Sequence, residues 1–256
     1  MKERNFRQRL RVRRRLATAG VVASASYGLF EGVLALSPHA DRNELGGVHA
    51  QRLGGRMLQV LGVELALIGE VLAKRPGRGR LVVANHRAAT DIGVLLTLFG
   101  GALVARGDMA RWPMVGLMAA RTGTIFVDRG DKGSGVRAIR AMRRRLAAGG
   151  TLAVFPEGTT FLGDEVRSFQ PGAFLAARGL DVDIVPLGIA VPRGLEYVGT
   201  SFGAHVSEIA ARERTLVVAA VGEALKPERS VRELAETCRS RVQELVARAR
   251  RRLGDP

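Results

Sequence analysis

Cysteine is almost absent from the chain: Cys238 is the only one in 256 residues. No internal disulfide can form, which excludes the small disulfide-stapled folds of secreted proteins. Cys238 shares a helical spacing with Val231, Leu234, Val242, Leu245, Val246 and Ala249, an apolar stripe on which a thiol serves as a small hydrophobe. Histidine is scarce too. His39, His49, His86 and His205, with one cysteine, match no zinc-ligand spacing, so no metal is expected. Aromatic residues make up 5% of the chain, without the clusters on which bases stack and without a recognised nucleic-acid motif; no nucleic-acid partner is expected. Acids are outnumbered, 24 against 40 basic residues, for a formal net charge of +16. That excess keeps open a non-catalytic basic protein bound to anionic membrane or nucleic acid.

The positive charge is concentrated at the start. Lys2, Arg4, Arg7, Arg9, Arg11, Arg13, Arg14 and Arg15 face the single acid Glu3. An apolar run follows from Leu16 to Leu36, close to the roughly 20 residues of a spanning helix but interrupted by Glu31 and many small residues. A helix lying in the interface, with arginines on anionic headgroups, accommodates Glu31 best. A spanning helix with its basic end inside also fits, whereas a cleaved signal would need a shorter apolar run than this one. Val48 to Leu72 repeats apolar residues at helical spacing, and Pro38, Asp41, Asn43 and Gly46-Gly47 supply a turn between the two segments. The expected organisation is a basic arm and helical membrane-associating hairpin over residues 1–74, then an α/β domain with a C-terminal amphipathic helix over 75–256.

From residue 80 short β-rich runs alternate with helical ones. Strands are expected at Leu81–Ala84, Ala102–Ala105, Thr124–Val127, Leu152–Phe155, Ile184–Val191 and Leu216–Val221. Helices are expected at Asp91–Phe99, Ala110–Arg121, Val136–Ala148, Gly172–Arg178 and Ser230–Leu253. This alternation predicts an α/β sandwich with a largely parallel sheet, in which loops at strand ends converge on one cleft.

Four segments carry candidate chemistry. Asn85-His86 follows the first of these strands, and Asp91 stands five residues after His86. On one continuous helix that separation is roughly 140°, so a strand, a bend and a helix start are needed to bring the pair together. Thr90 is the expected N-cap, with Asp91 in the first turn. Histidine held by a carboxylate is a general base for a hydroxyl nucleophile; the same pair also occurs as a surface histidine beside a capping acid. Gly123–Arg129 ends a strand on Asp128-Arg129, either a phosphate fork steadied by its neighbour or a surface ion pair. In Phe155-Pro156-Glu157-Gly158-Thr159-Thr160, a proline and a glycine fix the display of Glu157, which can hold a polyol hydroxyl or orient an arginine. Ile184–Pro192 is a buried strand in which Pro186 marks an edge, a bulge or the approach to a pocket.

In their order and spacing these segments resemble the glycerolipid acyltransferases, in particular the 1-acylglycerol-3-phosphate (lysophosphatidic acid) acyltransferase type. The match consists of Asn85-His86 followed by four residues and Asp91, Gly123–Arg129, Phe155–Thr159 and Val185-Pro186. The resemblance implies a glycerolipid-acyltransferase-like α/β fold and a fatty acyl transfer from acyl-CoA or acyl carrier protein to a lysolipid hydroxyl. It makes His86 the base and Asp91 its orienting acid, and needs no cofactor beyond the acyl donor. It puts Asn85, Arg129, Glu157, Gly158, Thr159 and Pro186 about the substrate, with a backbone amide of Gly158 or Thr159 as the thioester's oxyanion donor. It further implies an anionic membrane surface as partner, at the cytoplasmic face of the inner membrane. One residue departs from the pattern: Thr160 stands where phosphate-using members carry arginine. Arg167 or Arg129 would then have to replace that contact, or the acceptor is another lysolipid, such as a lysophospholipid with a larger headgroup or lyso-ornithine lipid. The same base acting on water would give a thioester hydrolase.

Overall fold

The computed structural model describes residues 5–112, 116, 119, 121–128, 130–226 and 230–254. Two helices come first, α1 (Phe6–Leu36) and α2 (Arg42–Leu61). Seven strands follow: β1 (Val63–Ile68), β2 (Gly79–Ala84), β3 (Ala102–Arg106), β4 (Ile125–Val127), β5 (Thr151–Val154), β6 (Val182–Ala190) and β7 (Thr215–Val221). They form one sheet in the order β1-β7-β6-β2-β5-β3-β4. Every pairing is parallel except β6 with β7. Interleaved are α3 (Thr90–Phe99), α4 (Lys132–Ala147), α5 (Gly172–Ala177), α6 (Phe202–Ala211) and α7 (Val231–Leu253). The expected α/β sandwich with a largely parallel sheet is the architecture observed.

The central strands are covered on both sides, which is why β2 and β6 read as continuous apolar runs and not as alternating ones. Val82, Ala84, Val185, Leu187 and Ile189 face α2 and α3 through Leu58, Val94 and Leu95. Leu81, Val83, Val182 and Ile184 face the other layer, with Met142 and Leu146 of α4, Phe174 of α5 and Cys238 of α7. Burial pushes the Cys238 thiol up to about 12, so it stays protonated and packs as the small hydrophobe expected. Close approach is built from glycine: a Cβ on Gly54 would stand 2.7 Å from Leu96 Cβ, and one on Gly93 2.6 Å from Leu58 Cδ2, so α2 lies directly on α3.

Two features differ from the sequence reading. The helix expected to run to Leu72 stops at Leu61, and Val63–Ile68 is an edge strand beside β7. Gly62 makes the break, with φ of 74° and the Arg15 guanidinium where a side chain would go. A domain boundary at residue 74 would therefore separate β1 from the rest of the sheet to which it belongs. Helix α6 has no counterpart among the expected elements; Ser201 caps it by accepting the Ala204 N–H. Of the expected helix over Ala110–Arg121, Gly116, Ala119 and Arg121 are helical, a 3-10 turn stands at Gly107–Arg111, and most of the remainder lies outside the described residues.

Helix α1 starts within the basic segment, at Phe6, behind a capping box between Asn5 and Gln8. Two of its arginines are used inside the fold. Arg15 donates to the carbonyls of Leu61, Ala210, Arg212 and Glu213, and Arg11 donates to that of Ala211; together they close the C-termini of α2 and α6. Farther along, Phe30 stacks on His49 of α2 and Glu31 pairs with Arg121 at 2.9 Å. Phe6, Val21, Leu29 and Leu36 are exposed. Among the described residues α1 is the one helix long and apolar enough to cross a membrane.

Candidate active site

The site forms where the chain leaves β2. Asn85 is wholly buried; its Nδ2 donates to the Ile189 carbonyl at 2.9 Å and its Oδ1 accepts the Ile189 N–H at 2.8 Å. The amide continues the β2–β6 ladder one step past the strand and sets the point from which His86 projects. Asn85 was expected at the substrate, but both ends of its amide are occupied by β6. It is a clamp.

His86 Nδ1 lies 2.9 Å from Asp91 Oδ2. The same oxygen accepts the N–H groups of Arg87, at 2.5 Å, and Ala88, at 2.8 Å. Asp91 is fully buried and can only accept, so Nδ1 carries the histidine proton and the Nε2 lone pair is left for a substrate. The imidazole also stacks on Phe155 at the end of β5, centroids 4.0 Å apart. Thr90, expected as N-cap, is already inside α3, and Ala89 in the cap position has no capping side chain. The carboxylate of Asp91 instead folds back over the preceding bend, which solves the five-residue spacing.

Beneath this pair lies a buried ion pair. Arg87 Nη1 is 3.1 and 2.9 Å from the two Glu157 oxygens, and the side chains are 2% and 0% exposed. Arg87 also donates to the carbonyls of His86, Gly163 and Glu165. Glu157 further accepts the His86 N–H at 2.8 Å and the Arg167 N–H at 2.9 Å. A buried charge pair is tolerated when its remaining donors and acceptors are satisfied, as they are here. Of the two roles expected for Glu157, the fold uses the orientation of an arginine, and both carboxylate oxygens are engaged by Arg87 and backbone N–H groups. The loop after it is held down from outside as well, by Asp164 on Arg250 of α7 and by Gln243 on the Val166 N–H.

The remaining expected residues separate. Gly158 and Thr159 are exposed beside the site; the Gly158 N–H is spent on the Phe155 carbonyl, which removes it as an oxyanion donor, whereas that of Thr159 makes no hydrogen bond among the described residues. The Thr160 hydroxyl donates to the Tyr197 carbonyl and ties two loops together. Arg167 pairs with Glu165 at 2.9 Å and lies over the Phe161 ring. Pro186 is buried within β6, in phase with Ile184 and Gly188, on the face opposite the Val82–Ile189 layer, and packs toward Gly222. Its carbonyl accepts the Gly222 N–H, so its ring nitrogen points the same way and the β2 ladder loses no donor. It does not line the site. Arg129 lies outside the described residues; the strand before it, β4, is the third from β2, about 14 Å away at ordinary strand spacing.

Three residues at the site carried no role in the sequence reading. Arg87 adjoins the histidine, and the expectation that Glu157 orients an arginine was the signal that it would be needed. Tyr197 donates its N–H to the Arg87 carbonyl at 2.7 Å, and His205 accepts the Ala89 N–H on Nε2 at 3.2 Å. Both come from segments more than a hundred residues downstream with no local signature.

Residues 69–190 match the family model described as Acyltransferase. A lyso-ornithine lipid O-acyltransferase of Rhizobium meliloti is 33% identical over 142 residues, 55% of this chain and 47% of that protein. A 1-acyl-sn-glycerol-3-phosphate acyltransferase of Chlamydomonas reinhardtii is 27% identical over 185 residues, 70% of this chain and 52% of that protein. The chain spans about half the length of these curated relatives. The crystal structure of the 1-acyl-sn-glycerophosphate acyltransferase PlsC from Thermotoga maritima shares the fold, with a TM-score of 0.62 at 23% identity over 94% of this chain and 98% of that one.

Proposed function

We propose that this chain, whose residues 69–190 match the acyltransferase family model, moves a fatty acyl group from a thioester to the free hydroxyl of a lysolipid. The observation that carries the reading is the His86–Asp91 contact, which leaves Nε2 basic and turned from the buried carboxylate. His86 Nε2 takes the hydroxyl proton as that oxygen bonds to the thioester carbonyl carbon. Asp91 stabilises the imidazolium that results. Collapse breaks the C–S bond, and the imidazolium returns its proton to the departing thiolate. The Thr159 N–H is the backbone donor beside the site for the transient oxyanion.

The donor is an acyl-CoA or acyl carrier protein, both acidic and suited to a chain of net charge +16. For the acceptor, 1-acylglycerol-3-phosphate is the first reading. A lyso-aminolipid such as lyso-ornithine lipid is the second, favoured by the occupation of Thr160 by Tyr197 and of Arg167 by Glu165. Helix α1, about 46 Å long at 1.5 Å per residue, lies in the interface of an anionic membrane, at the cytoplasmic face of the inner membrane. Its anchorage to the domain near both ends, through Arg11 and Arg15 and then Phe30 and Glu31, supports lying over spanning. The test is transfer of labelled acyl groups to a panel of lysolipids in anionic vesicles. Transfer to at least one of them is expected; thioester hydrolysis with none, or binding without turnover, would overturn the reading.

A further inference from the structure

The bend between β2 and α3 has four consecutive backbone N–H groups, and each is donated to a side chain. His86 N goes to Glu157, Arg87 N and Ala88 N go to Asp91, and Ala89 N goes to His205 Nε2. Three of the four acceptances are made by carboxylates, which accept at any pH at which they are ionised. The fourth is made by an imidazole, which accepts only while neutral. We infer that His205 is a positioning residue for His86 and Asp91, holding the bend in its productive geometry only in its uncharged form with the proton on Nδ1.

His205 is suited to this task. It is 1% exposed, and its ring stacks on Tyr197 with centroids 5.0 Å apart. Tyr197 in turn donates its N–H to the Arg87 carbonyl, so the stacked pair grips the bend at Arg87 and at Ala89. Burial pushes the imidazole below its ordinary 6.5. Glu208 on its own helix and Asp91 on α3 oppose that shift, and His86 and Arg212 add to it. Protonation would remove the lone pair and aim a cation at the Ala89 N–H, loosening the bend that carries the base.

This role rests on the acyl-transfer reading, and its test includes a measurement independent of turnover. In His205→Leu the Ala89 N–H has no acceptor. We expect kcat to fall about ten- to hundredfold, since displacements near 1 Å at a catalytic group cost on that order, while KM moves less than about threefold. Amide exchange of the peptide spanning residues 86–91 should speed up in the same variant. In His205→Gln the amide oxygen reaches the position of Nε2 and accepts without titrating, so kcat should recover to within about threefold of wild type. Its log kcat against pH should then fall on the acid side with a slope of one, where wild type, needing two neutral histidines, approaches two. Wild-type kcat in His205→Leu, unchanged exchange at 86–91, or the same acid limb in wild type and His205→Gln would each overturn the proposal. Absence of transfer by the wild type, with exchange at 86–91 still responding to His205→Leu, would count against the activity and leave the positioning role standing.

Discussion

Replacing Glu157 by glutamine changes one oxygen to an amide nitrogen in a group that accepts from Arg87 Nη1, His86 N and Arg167 N. Two effects follow. The Arg87 guanidinium, at 2% exposure, keeps its three carbonyl partners and loses its carboxylate partner; breaking a buried pair in this way costs about 3–5 kcal/mol. Whichever way the new amide turns, its NH2 meets either the His86 or the Arg167 N–H, and an orphaned buried donor costs about 1–3 kcal/mol. The two losses overlap, so Glu157→Gln should lower unfolding stability by about 4 kcal/mol. Activity should fall about a hundredfold where the variant is still folded, because the His86 backbone loses its anchor. Urea unfolding of Glu157→Gln, Arg87→Met and the double variant gives the decisive comparison. With both charges gone no unpaired ion remains, and the double variant should be more stable than the sum of the single losses implies by at least about 2 kcal/mol. A Glu157→Gln loss below about 1 kcal/mol, or strict additivity, would refute the view that the pair is a single buried unit.

A Cβ at Gly188 would stand 2.3 Å from Val246 N and 2.4 Å from Leu245 C, both backbone, so Gly188→Ala should cost about 1–3 kcal/mol or more in thermal unfolding. Gly203, in α6 with nothing within 4 Å, is the matched control, and Gly203→Ala should leave stability unchanged or raise it by about 0.5–1 kcal/mol. Arg15→Ala removes four carbonyl contacts and should free the first turns of α1, read as faster tryptic cleavage before residue 36 with the sheet domain still protected. His49 and His205 both lie below their ordinary 6.5 because of burial. The unfolded chain therefore binds more protons than the folded one between the folded values and 6.5, so stability is complete above 6.5 and declines as the pH falls through that window. Melting temperature should follow that course, and His205→Gln should flatten it.

Local signals carried the fold where hydrophobic period and chain punctuation agree. Strand β2 and helix α7 are legible from their apolar pattern alone, and the His86–Asp91 contact follows from a strand end next to a helix start. The helix expected to continue through Leu65 and Ile68 failed because apolar spacing on a half-covered edge strand also fits a helix over so short a stretch. The conformation of Gly62 and the reach of Arg15 decided it, and both depend on tertiary structure. At the site, residue type was a better guide than role. Asn85, Glu157 and Pro186 are all of types expected about a substrate, yet Asn85 closes a ladder, Glu157 compensates Arg87 and Pro186 faces the far layer. Tyr197 and His205 reach the bend from beyond β6, and no pattern around them pointed to it.

The central claim, that His86 is a base oriented by Asp91, is tested most directly by single-turnover transfer from a labelled thioester to a lysolipid, comparing wild type with His86→Ala and Asp91→Asn. The account predicts transfer by wild type, none detectable above background with His86→Ala, and a loss of about two to four orders of magnitude with Asp91→Asn, which still fills the space but misdirects the imidazole tautomer. Full transfer by folded His86→Ala would contradict it.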